Sequence, residues 1–203
     1  MKDIYKTITA PSPEVLFKDR NSKFFGYAFP ISSEEEVKPL IDQLKKSHYQ
    51  ARHWCYAWVL GKEYERFRAN DDGEPSNSAG APIHGQLQSF DVTNVLVVVV
   101  RYFGGTKLGV GGLINAYRTG AQLALEAANI VERTIDVEFE IQFEYPLLNK
   151  AMRLIKDYEV NILKQEMQLD CTFRLSIRQK EAEKVIAAFE EVYGIERLKE
   201  NDL

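Results

Sequence analysis

A glycine-rich segment is the first place where this sequence could do chemistry. Five of the 12 glycines fall within nine residues, between an apolar run and a helical pattern. Glycine permits positive φ and a close approach of the backbone, and free N–H groups at a helix N-terminus attract anions. Positive side chains flank the segment. We therefore predict an anion- or nucleic-acid-binding site made of Arg101, Gly104, Gly105, Lys107, Gly109, Gly111, Gly112 and Arg118.

The segment departs from the two common phosphate-binding motifs. Gly104 and Gly109 have the spacing of a P-loop, but Val110 stands where the lysine is needed. Gly109 and Gly111 begin like a dinucleotide-binding fingerprint, but Ile114 stands in place of the third glycine. Any phosphate contact here would therefore use another arrangement.

A packing role is the alternative explanation for the same glycines. Small residues recur every fourth position in the helical pattern that follows, at Ala116, Gly120, Ala124 and Ala128. Such a ridge lets a helix lie very close to a sheet, and a tight glycine turn would serve that packing alone. The sequence leaves both interpretations open.

A second polar segment, residues 70–80, carries three carboxylates close together. They could bind a cation or act as an acid–base pair, but their spacing does not fit an EF-hand. An Asp-Gly turn followed by a helix capped by Ser78 is the structural alternative. As a binding loop, the segment would form the rim of the glycine-rich site with Asp71, Asp72, Glu74, Ser76 and His53.

The remaining reactive residue types form no recognisable catalytic set. The three histidines show no metal-ligand spacing, and Cys55 and Cys171 have no CxxC partner. His53 precedes an apolar strand, and the two cysteines fit small core residues better than nucleophiles, so structural roles are favoured. We assign no catalytic residue, metal or cofactor; the sequence favours a binding protein and leaves an enzyme possible.

Composition excludes several classes of protein. The chain has 203 residues, of which 45% are hydrophobic and 28% charged, so a disordered chain is excluded. No apolar run reaches the length of a membrane span and no secretory signal is visible, so we expect a cytoplasmic location and no membrane. The net charge of −4 excludes a globally basic nucleic-acid binder, although a local basic patch is compatible with it.

Hydrophobic periodicity predicts an α+β protein of two domains, 1–133 and 134–203. The first carries predicted strands at 14–18, 23–31, 53–60, 63–68 and 93–102 and helices at 33–46, 79–87 and 110–128, with Pro39 a possible kink. The second reads as β-α-β-β-α-β, the ferredoxin-like order, at 135–145, 147–157, 159–166, 171–178, 180–193 and 195–198.

Two motifs together resemble the signature of the IMPACT/YigZ family. They are the run Asp71-Asp72-Gly73-Glu74-Pro75-Ser76, followed by Ala79-Gly80-x-Pro82-Ile83, and the run from Val97 through Arg101-Tyr102-Phe103-Gly104-Gly105-Thr106-Lys107 to Leu113. The resemblance implies that residues 1–133 form an Impact N-terminal domain, a ribosomal-protein-like β-α sandwich similar to domain IV of elongation factor G. Residues 134–203 would be ferredoxin-like and similar to domain V of that factor.

What the resemblance implies for function is less specific. Eukaryotic members regulate translation by competing for the activator of a kinase, a partner that a bacterial-type chain would lack. Association with RNA or the ribosome follows by fold analogy. The alternatives are an enzyme that acts on a nucleotide or phosphorylated small molecule at the glycine-rich loop, and a module that binds a protein partner through the acidic face of the second domain.

Overall fold

The computed structural model describes residues 3–198, which divide into two compact units. The larger unit is Tyr5–Arg133, and the smaller combines residues 3–4 with residues 134–198. Each unit has its own hydrophobic core. None of the helices in the described part of the chain is both long and apolar enough to cross a membrane.

The larger unit is built on a five-stranded antiparallel sheet in the order β2-β3-β6-β4-β5. A short separate sheet pairs β1 with β7. The elements are β1 (Ile4–Ile8), β2 (Val15–Asp19), β3 (Ser22–Pro30), α1 (Val37–Ser47), β4 (His53–Leu60), β5 (Arg66–Asn70), α2 (Gly80–Ser89), β6 (Val95–Tyr102), α3 (Gly109–Glu126) and β7 (Ile130–Thr134).

Strand β6 is the centre of this unit and is buried on both faces. Val95, Val97 and Val99 belong to the core that includes residues of α2 and α3. Leu96, Val98 and Val100 belong to a second core, which includes residues of α1. An unbroken run of β-branched residues is typical of a strand covered on both sides, so the predicted central strand is confirmed.

Helix α3 lies very close to the sheet. A Cβ added at Gly26 in β3 would come within 3.0 Å of the carbonyl oxygen of Gly120, so only glycine fits there without movement. Ala116, Gly120 and Ala124 are buried along the same face of α3. The small-residue ridge therefore does serve close packing.

Two local features differ from the sequence predictions. Pro39 is the third residue of α1 and follows a 3₁₀ turn over Glu34–Glu36, so it sits in the first helical turn, where proline is tolerated. The sequence suggests a turn around Asn21 and Ser22, between the strands predicted at 14–18 and 23–31. The β2–β3 turn instead uses Arg20 and Asn21, both at positive φ. Positive φ at two consecutive positions is typical of a tight hairpin turn.

A partly buried hydrogen-bond chain anchors the C-terminal end of α1. The Tyr27 hydroxyl donates to the Glu14 carboxylate, so the Tyr27 oxygen accepts from His48 Nε2–H at 2.5 Å. His48 Nδ1 lies 3.0 Å from the Tyr102 hydroxyl oxygen. Burial disfavours the charged imidazolium and lowers the pKa of His48. In the neutral ring the proton is on Nε2, and Nδ1 accepts from the Tyr102 hydroxyl.

We expect this histidine to make the fold less stable in acid. Burial lowers the pKa of His48 below its usual 6.5, against a smaller opposite effect of Glu14. As the pH falls through the value of the unfolded chain, only the unfolded state takes up the proton, and stability falls by up to about 1.4 kcal/mol per pH unit. Above that pH range His48 does not contribute to the dependence of stability on pH.

Urea unfolding at intervals between about pH 5 and 7.5 would measure this slope. Burial also lowers the pKa of His84, so His84→Gln should reduce the slope as well and measures the share of that histidine. His48→Gln should reduce the slope, and a slope unchanged in that variant would contradict the assignment.

The smaller unit is a four-stranded antiparallel sheet in the order β11-β8-β10-β9. Residues of both its helices share one core with Phe139, Ile141 and Phe143 of the first strand, so both helices cover the same face. Alternate residues of this strand thus face the core, and the strand predicted at 135–145 is confirmed. The elements are β8 (Asp136–Glu144), α4 (Leu148–Asp157), β9 (Asn161–Met167), β10 (Asp170–Arg178), α5 (Gln179–Glu190) and β11 (Ile195–Leu198).

Candidate functional site

The two polar segments singled out in the sequence meet at one end of the larger sheet. His53 in β4 lies directly opposite Arg101 in β6. Both belong to the face that carries α2 and α3, because side chains alternate along a strand. The acidic loop, residues 71–79, and the glycine loop, residues 103–108, follow β5 and β6 respectively.

Glu74 is the centre of a buried cluster that joins the two loops. Its Oε1 accepts from Arg101 Nη1 at 2.6 Å and from the Tyr117 hydroxyl at 2.8 Å. His53 Nε2 lies 4.0 Å from the same oxygen. The side chains of Glu74 and Arg101 are only 5% and 6% exposed. This ion pair therefore fixes the acidic loop against the end of β6.

Arg101 is placed differently from the role that the sequence suggested for it. Its guanidinium carbon lies 5.5 Å from the ring centroids of both Phe24 and Phe103. With Glu74 as counter-ion and two aromatic rings against it, the side chain points into the protein. Arg101 thus braces the site, whereas Lys107 and Arg118 are exposed.

The two aspartates of the acidic loop accept hydrogen bonds from the backbone. Asp71 Oδ1 accepts from Ala79 N at 2.9 Å and Gly80 N at 2.8 Å. Asp72 Oδ2 accepts from Trp54 N at 2.7 Å. These contacts fold the loop back on β4 and onto the start of α2.

The predicted cap of α2 is therefore wrong. The Ser78 hydroxyl donates to Pro75 O at 2.6 Å, and Asp71 takes over the capping of the helix. A carboxylate satisfies orphan N–H groups and also interacts favourably with the helix dipole. Ser76, also assigned to the rim, is exposed in the same loop.

The buried polar groups of this cluster are held in their neutral or paired forms. Burial raises the pKa of the Cys55 thiol and of the Tyr117 hydroxyl far above their usual ranges. The Cys55 thiol donates to Asp71 O at 2.9 Å, and His53 Nδ1–H donates to Asp72 O at 2.8 Å. The arrangement positions a loop; it does not present a nucleophile.

The glycine loop presents the accessible backbone of the site. Gly104 is tied down, since its N–H donates to Ser22 Oγ at 3.1 Å. Gly105 and Gly109 have φ values of +85° and +75°, and a Cβ at either position would meet nothing within 4 Å. Gly111 also faces open space. Gly105 and Gly109 are therefore required by their backbone conformation, not by crowding.

Helix α3 begins at this loop without a side-chain cap. Its N-cap, Leu108, makes no side-chain hydrogen bond, and Gly109, Val110 and Gly111 in the first turn are exposed. Gly112 is closer to the protein, since a Cβ added there would lie 3.0 Å from the Cβ of Leu108. The first residues of the helix are thus exposed and follow the exposed Lys107 closely in the chain.

Arg118 stands apart from this helix end. It lies nine residues after Gly109 on α3. At 1.5 Å per residue that is about 13 Å along the axis.

Among the described residues, no group of three His, Cys, Asp or Glu side chains could hold a metal ion.

Tyr117 is the functional residue that the sequence analysis missed. It is fully buried beside Leu113, Ala116 and Gly120 on the apolar face of α3. A tyrosine in that position needs a partner for its hydroxyl, which is the signal that could have linked it to a buried carboxylate.

Comparison with known proteins identifies the class of protein that this fold and site represent. The model of the Impact N-terminal domain matches residues 20–125. An IMPACT family member of Haemophilus influenzae is 35% identical over 85% of this chain and 86% of its own. YigZ of Escherichia coli is 31% identical over 84% of both chains.

A solved structure described as a hypothetical protein aligns over 98% of this chain and 100% of its own, with a TM-score of 0.72 and 27% identity. The fold is therefore a known mixed α and β architecture of two parts. The chain belongs to the IMPACT family, which confirms the resemblance found in its sequence.

Proposed function

We propose that this protein is a non-enzymatic regulator of translation that associates with RNA or the ribosome through the glycine loop. The carrying observation is the uncapped start of α3, where Gly105, Gly109 and Gly111 face open space beside Lys107. Exposed helix N–H groups and a lysine suit a phosphate group. The regulatory role rests on family membership.

The buried cluster supports binding over catalysis. Glu74 accepts from both Arg101 and Tyr117, and the Cys55 thiol is buried. A fixed cluster holds the loop in one shape, which lowers the entropy cost of binding. The alternative is an enzyme that acts on a nucleotide or phosphorylated small molecule at the same loop, and it would use the same anion contacts.

The finer fold assignments belong to the same proposal. The order β11-β8-β10-β9 and the sequence β-α-β-β-α-β support a ferredoxin-like smaller domain, residues 134–203, similar to domain V of elongation factor G. The sheet with helices on both faces supports a domain IV-like fold for residues 1–133. Likeness to a ribosome-binding factor agrees with an RNA or ribosomal partner and a cytoplasmic location. A basic protein partner would fit the acidic outer face of β8.

We expect Lys107→Glu to weaken binding to structured RNA regardless of its sequence. Losing one phosphate contact should lower the slope of log affinity against log salt by about one. Fluorescence anisotropy at several salt concentrations measures both quantities. Lys62→Glu is the matched control, since Lys62 is also exposed but lies in the β4–β5 connection.

Gly111→Asp separates binding from folding. Position 111 is the third residue of α3 and has free space for a side chain. A carboxylate in the first turn interacts favourably with the helix dipole, and the substitution also removes a glycine from the helix. Stability should therefore rise by about 0.5–1 kcal/mol. Phosphate binding should fall, because the same carboxylate repels it.

Wild-type affinity in both variants would overturn the assignment of the loop. If no RNA binds at low salt, the RNA proposal fails. A thermal shift with nucleotides, lost in Gly111→Asp, would then support the enzymatic alternative.

A further inference from the structure

The outer strand β9 of the smaller unit is an open edge. Within residues 3–198 its only strand partner is β10, on one side, and all seven of its residues are exposed. Edge strands leave a row of backbone N–H and C=O groups without partners. Large exposed apolar side chains also gather there, at Ile162, Leu163, Met167 and Leu169. An apolar patch beside an open edge marks an interaction surface.

The charges on β9 indicate what kind of strand would fit this edge. Lys164 and Glu166 lie on one face of the strand and form an ion pair at 2.6 Å. Their register partners in β10 are Arg174 and Thr172. The strand therefore carries a positive and then a negative side chain around Gln165. An antiparallel strand complements it when it shows the same order, positive then negative, along its own direction.

We infer that β9 pairs with β9 of a second copy of this chain, antiparallel and centred on Gln165. In that register Lys164 lies opposite Glu166 of the second copy, twice by symmetry. Leu163 lies opposite Met167 of the second copy in the same way. An isologous contact of this kind is self-complementary in both charge and apolar contact.

Neighbouring registers lack this match. Centring the pair on Lys164 opposes two lysines, and centring it on Glu166 opposes two glutamates. Centring the pair between Lys164 and Gln165 places Leu163 opposite Glu166. Centring it between Gln165 and Glu166 places Lys164 opposite Met167. The Gln165 register therefore gains both kinds of contact at once.

The extent of the pairing is limited by a break in the β9–β10 ladder. The register shifts between Arg174 and Leu175, which leaves Leu163 without a partner in β10. A bulge bends an edge strand, so the regular part of the new ladder, which is symmetric about Gln165, runs through residues 164–166, with Leu163 and Met167 at its ends. A contact of this size falls in the weak, transient class of interfaces, below about 1,200 Å².

Charge-reversal variants of the full chain test the register directly. All changes lie on exposed side chains, and thermal melting checks that each variant folds. Sedimentation velocity over a range up to about 1 mM would follow the mass, as suits a weak interface. We expect wild type to self-associate with rising concentration, and Lys164→Glu or Glu166→Lys alone to do so about 10-fold more weakly.

Two further samples restore the complementarity. The double variant Lys164→Glu with Glu166→Lys should associate like wild type. An equimolar mixture of the two single variants should form a heterodimer, because each strand then carries one sign of charge. A wild-type chain that stays monomeric over the whole range would overturn the proposal. So would single variants that associate like wild type, or a mixture that does not associate better than its components.

Discussion

Replacing Glu74 by glutamine is expected to lower the free energy of unfolding by about 3–5 kcal/mol, the usual cost of leaving a buried charge without its partner. Arg101 remains charged in the variant and is 5% exposed, so bulk water has little access to replace the carboxylate. Glutamine keeps the shape and an oxygen for the Tyr117 hydroxyl. The loss therefore reports the ion pair, not a cavity.

Urea unfolding gives the value, provided that the slope of free energy against urea stays constant. Glu63→Gln is the control, because Glu63 is exposed between β4 and β5, where a lost charge should cost at most about 0.5 kcal/mol. Tyr117→Phe should fall between the two, since it removes one hydrogen bond to a charged group. A cost below about 1 kcal/mol for Glu74→Gln would show that Arg101 finds another partner or water.

Adding a methyl group at two glycines near this site is expected to change stability in opposite directions. A Cβ at Gly104 would lie within 3.0 Å of the backbone of Asn21 and Ser22, so the chain must shift, at a cost of about 2–3 kcal/mol. A Cβ at Gly111 meets nothing within 4 Å, and Gly111→Ala should gain about 0.5–1 kcal/mol in a helix.

Thermal and urea unfolding of the two alanine variants measure this difference in sign. Gly104→Ala should also loosen the glycine loop, since Gly104 N–H would lose its bond to Ser22 Oγ. Equal stability in the two variants would mean that the base of the loop can move to accept the methyl group. That result would contradict the close contact between Gly104 and the β2–β3 turn.

The elements of this fold were predictable because they depend on local periodicity. The alternation of Phe139, Ile141 and Phe143 gives one buried face, and the apolar run of β6 gives two. Element ends were less predictable: β5 is Arg66–Asn70 where residues 63–68 were expected, because Glu63 to Glu65 belong to the turn.

The candidate site was only partly predictable, because its contacts join residues far apart in the chain. Arg101 could be seen to carry a charge near the glycines, but its counter-ion Glu74 is 27 residues away. Asp71 caps a helix from nine residues upstream of Gly80, which local capping patterns do not cover. Local patterns identified the residues that could form a site, and contacts between distant segments decide which way their side chains point.

The pairing of β1 with β7 has a consequence for the modular character of this protein. The polypeptide enters the larger unit on β1 and leaves it on β7. Since these two strands are hydrogen-bonded to each other, the entry and exit points lie side by side. A domain whose two ends are adjacent can be fused to other domains, or separated from them, without a change in its own strand order. The larger unit has this property, and the match to the family model, at residues 20–125, lies wholly inside it.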